Sequence, residues 1–204
     1  MSAPDLSMLG AGFSSEALGS QAVFRAVLQA LSRPGMVVEV PHDAEVPVGA
    51  QSASAAALLA LLDSDCSVWL SPALQAAGAW LRFHTGCEIV ADAANARFVW
   101  VARGDAMPAL GSLAQGSDAY PDQSATCILE VDQLQGDGTD GWGLSGPGVK
   151  GEQRFHAQGL PQDWTAQWAA NHAAFPRGVD VLLAAGAQLV GMPRTTALRD
   201  TVEA

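Results

Sequence analysis

Short apolar segments rich in β-branched residues alternate with longer segments of helical periodicity along this chain. A strand that is apolar on both sides is buried on both sides, so this alternation predicts an α/β fold. We expect a three-layer α/β/α sandwich in which helices cover both faces of a central sheet. Because several neighbouring strands have no helix between them, the central sheet should be mixed. The predicted strands lie at 36–40, 66–71, 97–102, 126–131, 179–186 and 187–192.

Four segments have helical character, at 14–35, 52–63, 72–86 and 161–175. In the first, Phe24, Val27, Leu28 and Leu31 share one face, and the Arg-Pro-Gly sequence at 33–35 ends the helix. The second has Ser52 or Ser54 as its N-cap. In the last, Trp164 and Trp168 are four residues apart and lie on one face.

The chain has 204 residues, which predicts a single α/β domain over 1–204. We expect residues 1–14 to be flexible. Residues 135–151 are so rich in glycine that they predict a mobile loop, with a short strand around Trp142 to Leu144.

Composition excludes several classes of function. The net charge is −11 and the ten basic residues are scattered, so nucleic acid is not an expected partner, although one or two arginines suffice for a small anion. We expect no signal sequence, because residues 1–13 contain neither a basic leader nor an apolar region, and the longest apolar run, 55–62, is too short to span a membrane. The three cysteines include no CxxC motif, which predicts reduced, buried thiols in a cytoplasmic protein.

The sequence MPRTT places Arg194, Thr195 and Thr196 directly after an apolar run. An arginine fork followed by two hydroxyls suits a phosphate or phosphonate group. An ordinary turn has the same composition, and both interpretations stay open. We expect Arg194→Ala to leave the fold intact, because a charged residue at a strand end rarely fills a core.

Two further segments offer candidate ligand or interface residues. The turn at 116–126 contains Tyr120 and Asp122, which either line a cleft or serve as turn residues. His84 and Thr85 follow a helix, where a histidine acts either as an acid or base or as a helix cap.

Gly146 and Gly148 belong to a glycine-rich turn that lacks the spacing of a P-loop, so a phosphate cradle there is a weak prediction. Lys150 is the only lysine, and any pyridoxal phosphate would have to bind it in a loop that offers no partner for the pyridinium nitrogen. The four histidines are far apart, so we expect no metal site. The pattern identifies no catalytic residues.

Seven segments, in this order, resemble one family across some 180 residues. They are SQAVFRAVLQALSRPG, LLALLDSDCSVWLSP, WLRFHTG, YPDQSAT with GPGV, FPRGVDVLL and MPRTT. The chain resembles the H subunit of the bacterial carbon–phosphorus lyase system, the phosphonate metabolism protein PhnH family. One departure is Arg177, where the family usually has leucine, and it puts any interface inferred at this position in doubt.

The resemblance implies a fold similar to pyridoxal-phosphate-dependent transferases but without that cofactor. It implies a homodimer that joins G, I and J subunits and acts with the L subunit. With the G, I and L subunits the family couples a phosphonate to MgATP, releasing adenine and forming α-D-ribose 1-methylphosphonate 5-triphosphate, and the J subunit later breaks the carbon–phosphorus bond. Within that complex the chain is either a ligand-binding subunit or a non-catalytic scaffold. A third hypothesis is a free-standing transferase-like enzyme with a degenerate cofactor site.

Overall fold

A computed structural model describes residues 9–136, 141–151 and 153–199. The described helices are α1 (Glu16–Ser32), α2 (Ser52–Leu61), α3 (Ala77–Thr85) and α4 (Trp164–Ala173). The strands, in chain order, are β1 (Val38–Glu39), β2 (Ser67–Leu70), β3 (Glu88–Ile89), β4 (Phe98–Val101), β5 (Thr126–Glu130), β6 (Gln133–Gly136), β7 (Trp142–Ser145), β8 (Gln153–Gln158), β9 (Asp180–Ala185), β10 (Gln188–Met192) and β11 (Ala197–Arg199).

Seven strands form the central sheet in the order β1-β10-β9-β5-β4-β2-β3. The five strands from β9 to β3 are parallel, and β10 is antiparallel to both of its neighbours. The predicted mixed sheet is therefore confirmed. Strands β9 and β10 form a hairpin through Gly186, which has a φ of 58°.

Helices α1, α2 and α3 pack on one face of this sheet around a core that includes Leu58, Trp100 and Ile128. Helix α1 lies directly on β10, since a Cβ atom at Gly191 would be 2.5 Å from the carbonyl oxygen of Ala30. Glycine is required there because the helix backbone occupies the space of a side chain.

The opposite face is covered by α4 together with a second, antiparallel sheet in the order β11-β7-β8-β6. The core on this side includes Leu183, Phe155 and the stacked rings of Trp164 and Trp168, whose centroids are 5.4 Å apart. Helices therefore lie on both faces, but the small sheet shares the second face with α4, so the predicted three-layer α/β/α sandwich is not confirmed. Of the small sheet, β7 and the end of β6 lie in the glycine-rich region, where helical and strand periodicity are both weak.

Only part of the predicted apolar stripe of α1 is buried. Phe24 is 50% exposed and Leu28 is 55% exposed, although the sequence pattern groups both with Val27. The buried residues are the smaller Val23, Ala26, Val27 and Ala30. The close approach of α1 to Gly191 leaves room only for small side chains on the inner face, and the larger ones point outward.

Two boundaries differ from the prediction. The N-cap of α2 is Gln51, while Ser54 donates a hydrogen bond to the buried Glu130 and so serves the core. Within 135–151, β7 confirms the predicted short strand, and residues 137–140 lie outside the described residues. Strand β8 had no counterpart among the predicted strands.

Of the N-terminal segment 1–14, residues 1–8 lie outside the described residues. Ala11 donates a backbone hydrogen bond to Glu45, and Ser14 donates hydrogen bonds to Asp43 through its backbone and hydroxyl. These bonds to Ser14 hold the pKa of the Asp43 carboxyl below its usual value. Among the described helices, none has the length and apolar character needed to cross a membrane.

Candidate functional site

Arg194 lies between three loops and holds them together. Its Nε and Nη2 donate to the two carboxylate oxygens of Asp180, at 3.1 and 2.6 Å. Nη1 donates to the carbonyl oxygens of Pro121 and Pro176, at 3.0 and 3.3 Å, and Nη2 also donates to the Ser124 hydroxyl at 2.5 Å. A guanidinium carries five N–H donors, so each has a partner within the protein.

Arg194 is only 9% exposed, which contradicts the expectation that it lies outside the core. The ion pair with Asp180 is also partly shielded, with side-chain exposures of 11% and 29%. Removing one member of such a pair leaves the other charge poorly solvated. The structure therefore favours a stabilising role for Arg194, and from it we predict the opposite of the sequence-based expectation, namely that Arg194→Ala destabilises the fold.

Asp180 is the residue of this cluster that the sequence reasoning missed. It opens strand β9, whose following residues are buried, and its Oδ1 also accepts the backbone N–H of Arg194 at 2.8 Å. An acidic residue at the start of a buried strand needs a charged or hydrogen-bonding partner. That rule identifies Asp180 as paired, but only the tertiary structure identifies Arg194 as its partner.

The surface above this cluster is shallow and largely apolar. We name it the three-loop surface and define it as residues 120–122, 175–176 and 193–195. A cavity of about 350 Å³ opens on it, lined by all of these residues except Tyr120, together with Asp180. Tyr120 and Phe175 are each 60% exposed. Asp122 is exposed as well, so this surface contains the predicted residues Tyr120 and Asp122.

The two threonines after Arg194 differ in accessibility. Thr195 lies on the three-loop surface, whereas Thr196 is fully buried and accepts a hydrogen bond from Trp168 through its backbone carbonyl at 2.8 Å. Gly146 is next to them, since a Cβ atom there would be 2.6 Å from the carbonyl oxygen of Thr195. A ligand at this surface can reach the hydroxyl of Thr195 but not that of Thr196.

His84 and Thr85 line a different cavity, of about 500 Å³, which also includes Glu16 and Asp63. His84 Nε2 is 2.9 Å from the carbonyl oxygen of Gly10, so in the neutral ring Nε2 carries the proton. The Thr85 hydroxyl donates to the carbonyl of Leu81 within α3. These contacts give both residues local structural roles, and the structure does not bring them to the three-loop surface.

Gly148 and Lys150 line a third cavity, of about 760 Å³, with Arg33 at the end of α1. Lys150 is exposed in the loop between β7 and β8. Of the predicted glycines, Gly146 is therefore adjacent to the three-loop surface and Gly148 belongs to this separate cleft.

At the carboxyl edge of the parallel strands, where open α/β sheets usually bind ligands, a cavity of about 360 Å³ is lined by two of the chain's own carboxylates, Asp105 and Glu130. Glu130 is 1% exposed and accepts hydrogen bonds from the backbone of Gln51, the Ser54 hydroxyl and the Trp100 indole, at 2.9, 2.5 and 3.1 Å. This carboxylate lies at the N-terminus of α2, the position at which a helix can bind an external anion. Asp105 accepts the backbone N–H of Ala73 at 2.8 Å nearby.

The thiols differ in burial. Cys87 and Cys127 are buried as predicted, but Cys66 is partly exposed, which corrects the expectation that all three are buried. Burial raises the pKa of Cys127 to about 12 and also raises the pKa of Cys66. Within the described ranges, no group of three or more His, Cys, Asp or Glu side chains is arranged to bind a metal ion.

Sequence comparison assigns this fold to a family. The family model described as bacterial phosphonate metabolism protein (PhnH) matches residues 11–199. The chain belongs to this family. It is 38% identical over 190 residues to the Rhizobium meliloti (strain 1021) protein named alpha-D-ribose 1-methylphosphonate 5-triphosphate synthase subunit PhnH, covering 91% of this chain and 93% of that one. It is also 34% identical over 180 residues to a putative C-P lyase subunit protein, HtxG, of Stutzerimonas stutzeri, covering 86% and 84%.

The PhnH-family match includes Arg194, Asp180 and the three-loop surface, so the cluster described above lies inside the matched region. The resemblance deduced from the sequence motifs is confirmed.

Proposed function

We propose that this chain is a subunit of the carbon–phosphorus lyase complex and is required to form α-D-ribose 1-methylphosphonate 5-triphosphate in phosphonate catabolism. In this reaction a phosphonate oxygen bonds to C1′ of MgATP while the C1′–N9 bond breaks, and adenine leaves with a proton. The name of the Rhizobium meliloti relative supports the proposal. The proposed partners are a second copy of the chain and the G, I and J subunits, with the L subunit acting alongside them, in the cytoplasm.

Within that complex the chain acts as a non-catalytic scaffold at the three-loop surface. The observation that carries this proposal is the complete use of the Arg194 donors by Asp180, Pro121, Pro176 and Ser124. Since no N–H of the guanidinium is free, it offers no fork to a substrate oxyanion. Arg194 instead fixes the positions of the loops that carry the exposed side chains.

The three-loop surface is suited to contact with another subunit. Tyr120 and Phe175 expose large rings beside three prolines, and aromatic residues are enriched at protein interfaces. Loops held by a buried ion pair lose little conformational freedom on association, which favours binding. Arg177 lies close by and pairs with Asp118 at 3.3 Å, so in this chain the residue that departs from the family pattern already has an internal partner.

We also propose that the chain binds no pyridoxal phosphate, although its similarity to transferases that use this cofactor stays a prediction. Lys150 is in the cleft beside α1, and Glu130 already occupies the helix N-terminus at the carboxyl edge of the sheet. An absorption band of bound pyridoxal phosphate in the purified protein would contradict this, and would favour the alternative of a free-standing enzyme.

The alternative of a ligand-binding subunit is supported at this surface by two hydroxyl-bearing residues, Thr195 and the exposed Tyr120. A decisive experiment therefore separates assembly from catalysis. The complex is reconstituted from its subunits, and adenine release from ATP and methylphosphonate is measured with the wild-type chain, with Tyr120→Ala/Phe175→Ala, with Thr195→Val and without the chain. Arg103→Ala is the matched control, because its side chain is 64% exposed and lies away from this surface.

We expect the double variant to keep its melting temperature, to fail to co-elute with the partner subunits on gel filtration and to abolish adenine release. Thr195→Val and Arg103→Ala should assemble and react normally. If Thr195→Val assembles without releasing adenine, the ligand-binding alternative replaces the scaffold. If adenine release is the same without the chain, the proposed function is wrong.

A further inference from the structure

A cavity of about 760 Å³ lies between the C-terminal end of α1 and the glycine-rich loop 146–151. Arg33, at the end of α1, and Lys150, in the loop, both line it. No carboxylate is among its described lining residues. The ion pairs of Arg103, Arg177 and Arg194 lie outside this cavity, and neither Arg33 nor Lys150 pairs with a carboxylate of the described residues.

The charge of the helix end and the charges of the two cationic side chains have opposite signs in this cavity. The C-terminal end of α1 carries about half a negative elementary charge. Arg33 and Lys150 together carry two positive charges, so the cationic side chains outweigh the helix end. Salt screens the charges elsewhere on this protein, whose net charge is −11, over about 8 Å at physiological ionic strength. The described lining of the cleft is therefore cationic on an acidic protein.

The backbone around this cleft is tightly packed. Gly148 has a φ of 82°, and a Cβ atom there would collide with the carbonyl oxygen of Ser32. Gly35 also has a φ of 82°, and a Cβ atom there would collide with Leu144. Both glycines allow the loop and the end of α1 to approach each other, which brings Arg33 and Lys150 to one cavity.

We infer that this cleft binds a phosphorus oxyanion, as a phosphate- or phosphonate-bearing small molecule. Arginine offers a planar fork to two oxygens of such a group, and lysine adds a mobile charge. The cavity is within the range of about 300–1,000 Å³ that is typical of small-molecule sites, so it accommodates a ligand larger than one phosphate. The inference depends only on the cleft and is independent of the scaffold function.

The test uses the isolated full-length chain and isothermal titration calorimetry with inorganic phosphate, methylphosphonate, tripolyphosphate and ATP. The variants are Arg33→Gln, Lys150→Gln and the charge-conserving Lys150→Arg. Arg103→Gln is the control, because it removes an exposed positive charge outside the cleft. The melting temperature of each variant is measured first to show that it is folded.

We expect saturable tripolyphosphate binding with a Kd near or below about 1 mM. Arg33→Gln and Lys150→Gln should each weaken it about tenfold, since each removes a charge-assisted hydrogen bond. Lys150→Arg and Arg103→Gln should bind as the wild type does. Tighter binding of ATP than of tripolyphosphate would identify a nucleotide, and binding of methylphosphonate but not phosphate would identify a phosphonate. Absence of saturable binding by any of the four probes, or equal weakening by Arg103→Gln, would overturn the inference.

Discussion

Replacement of Arg194 by alanine should destabilise the protein strongly. The substitution removes five hydrogen bonds and leaves the Asp180 carboxylate without its cation. Loss of one partner from a buried ion pair costs about 3–5 kcal/mol. Because the Asp180 side chain is 29% exposed, water can partly solvate it, and we expect the lower end, about 3 kcal/mol.

For a chain of this size, each kcal/mol lowers the melting temperature by about 2–4 °C. The expected fall is therefore about 6–12 °C, measured by circular dichroism during thermal unfolding. Arg194→Lys should rescue little of it, since one ammonium cannot reproduce the fork to Asp180 and the contacts to Pro121 and Pro176.

Arg177→Ala is the matched control, because the Arg177–Asp118 pair is exposed at 55% and 81%. Exposed pairs contribute about 0–1 kcal/mol, so this variant should melt close to the wild type. A double-mutant cycle with Asp180→Asn should show that the effects of the two single substitutions are not additive. A melting temperature of Arg194→Ala within about 2 °C of the wild type would refute the structural role of this residue.

Three other substitutions or reactions test the fold. Gly191→Ala should prevent or severely impair folding, because the new Cβ would be 2.5 Å from the backbone of α1. Gly111→Ala is the control and should be tolerated, because a Cβ there has no other atom within 4 Å. Soluble yield and melting temperature distinguish the two variants. Glu130→Ala leaves three donors without their acceptor and should cost about 3 kcal/mol or more in urea unfolding, and a loss below about 1 kcal/mol would contradict the hydrogen-bond network. At pH 8, Cys127 should resist a thiol reagent while Cys66 reacts slowly. Burial raises the pKa of Cys127 from its ordinary 9.0 to about 12. The contribution of this thiol to the free energy of unfolding is therefore complete below pH 9 and is lost as the pH rises from 9 towards 12. Rapid labelling of Cys127 in the native protein would be inconsistent with its burial.

The candidate site was only partly predictable. The motifs around Arg194, Thr195, Tyr120 and Asp122 drew attention to the correct surface, since polar groups after apolar runs lie at sheet edges. The sequence could not show that Asp180 and two backbone carbonyls already use the Arg194 donors. His84 is a polar candidate like the others, but it lies in a different cavity, because α3 and the loops around Arg194 belong to separate parts of the structure.

The sequence alone determined the α/β class, the six main strands and the family. These features depend on local periodicity and on the order of motifs, both of which can be read from the sequence without knowing which residues are in contact. Tertiary structure decided which face of α1 is buried, because the helix lies so close to Gly191 of β10 that only its small side chains fit between them. It also decided that the second face of the sheet is covered by a small antiparallel sheet, and that Arg194 is a stabilising ion. Each of these depends on pairs of residues far apart in the chain, and no local pattern records which partner a residue will meet.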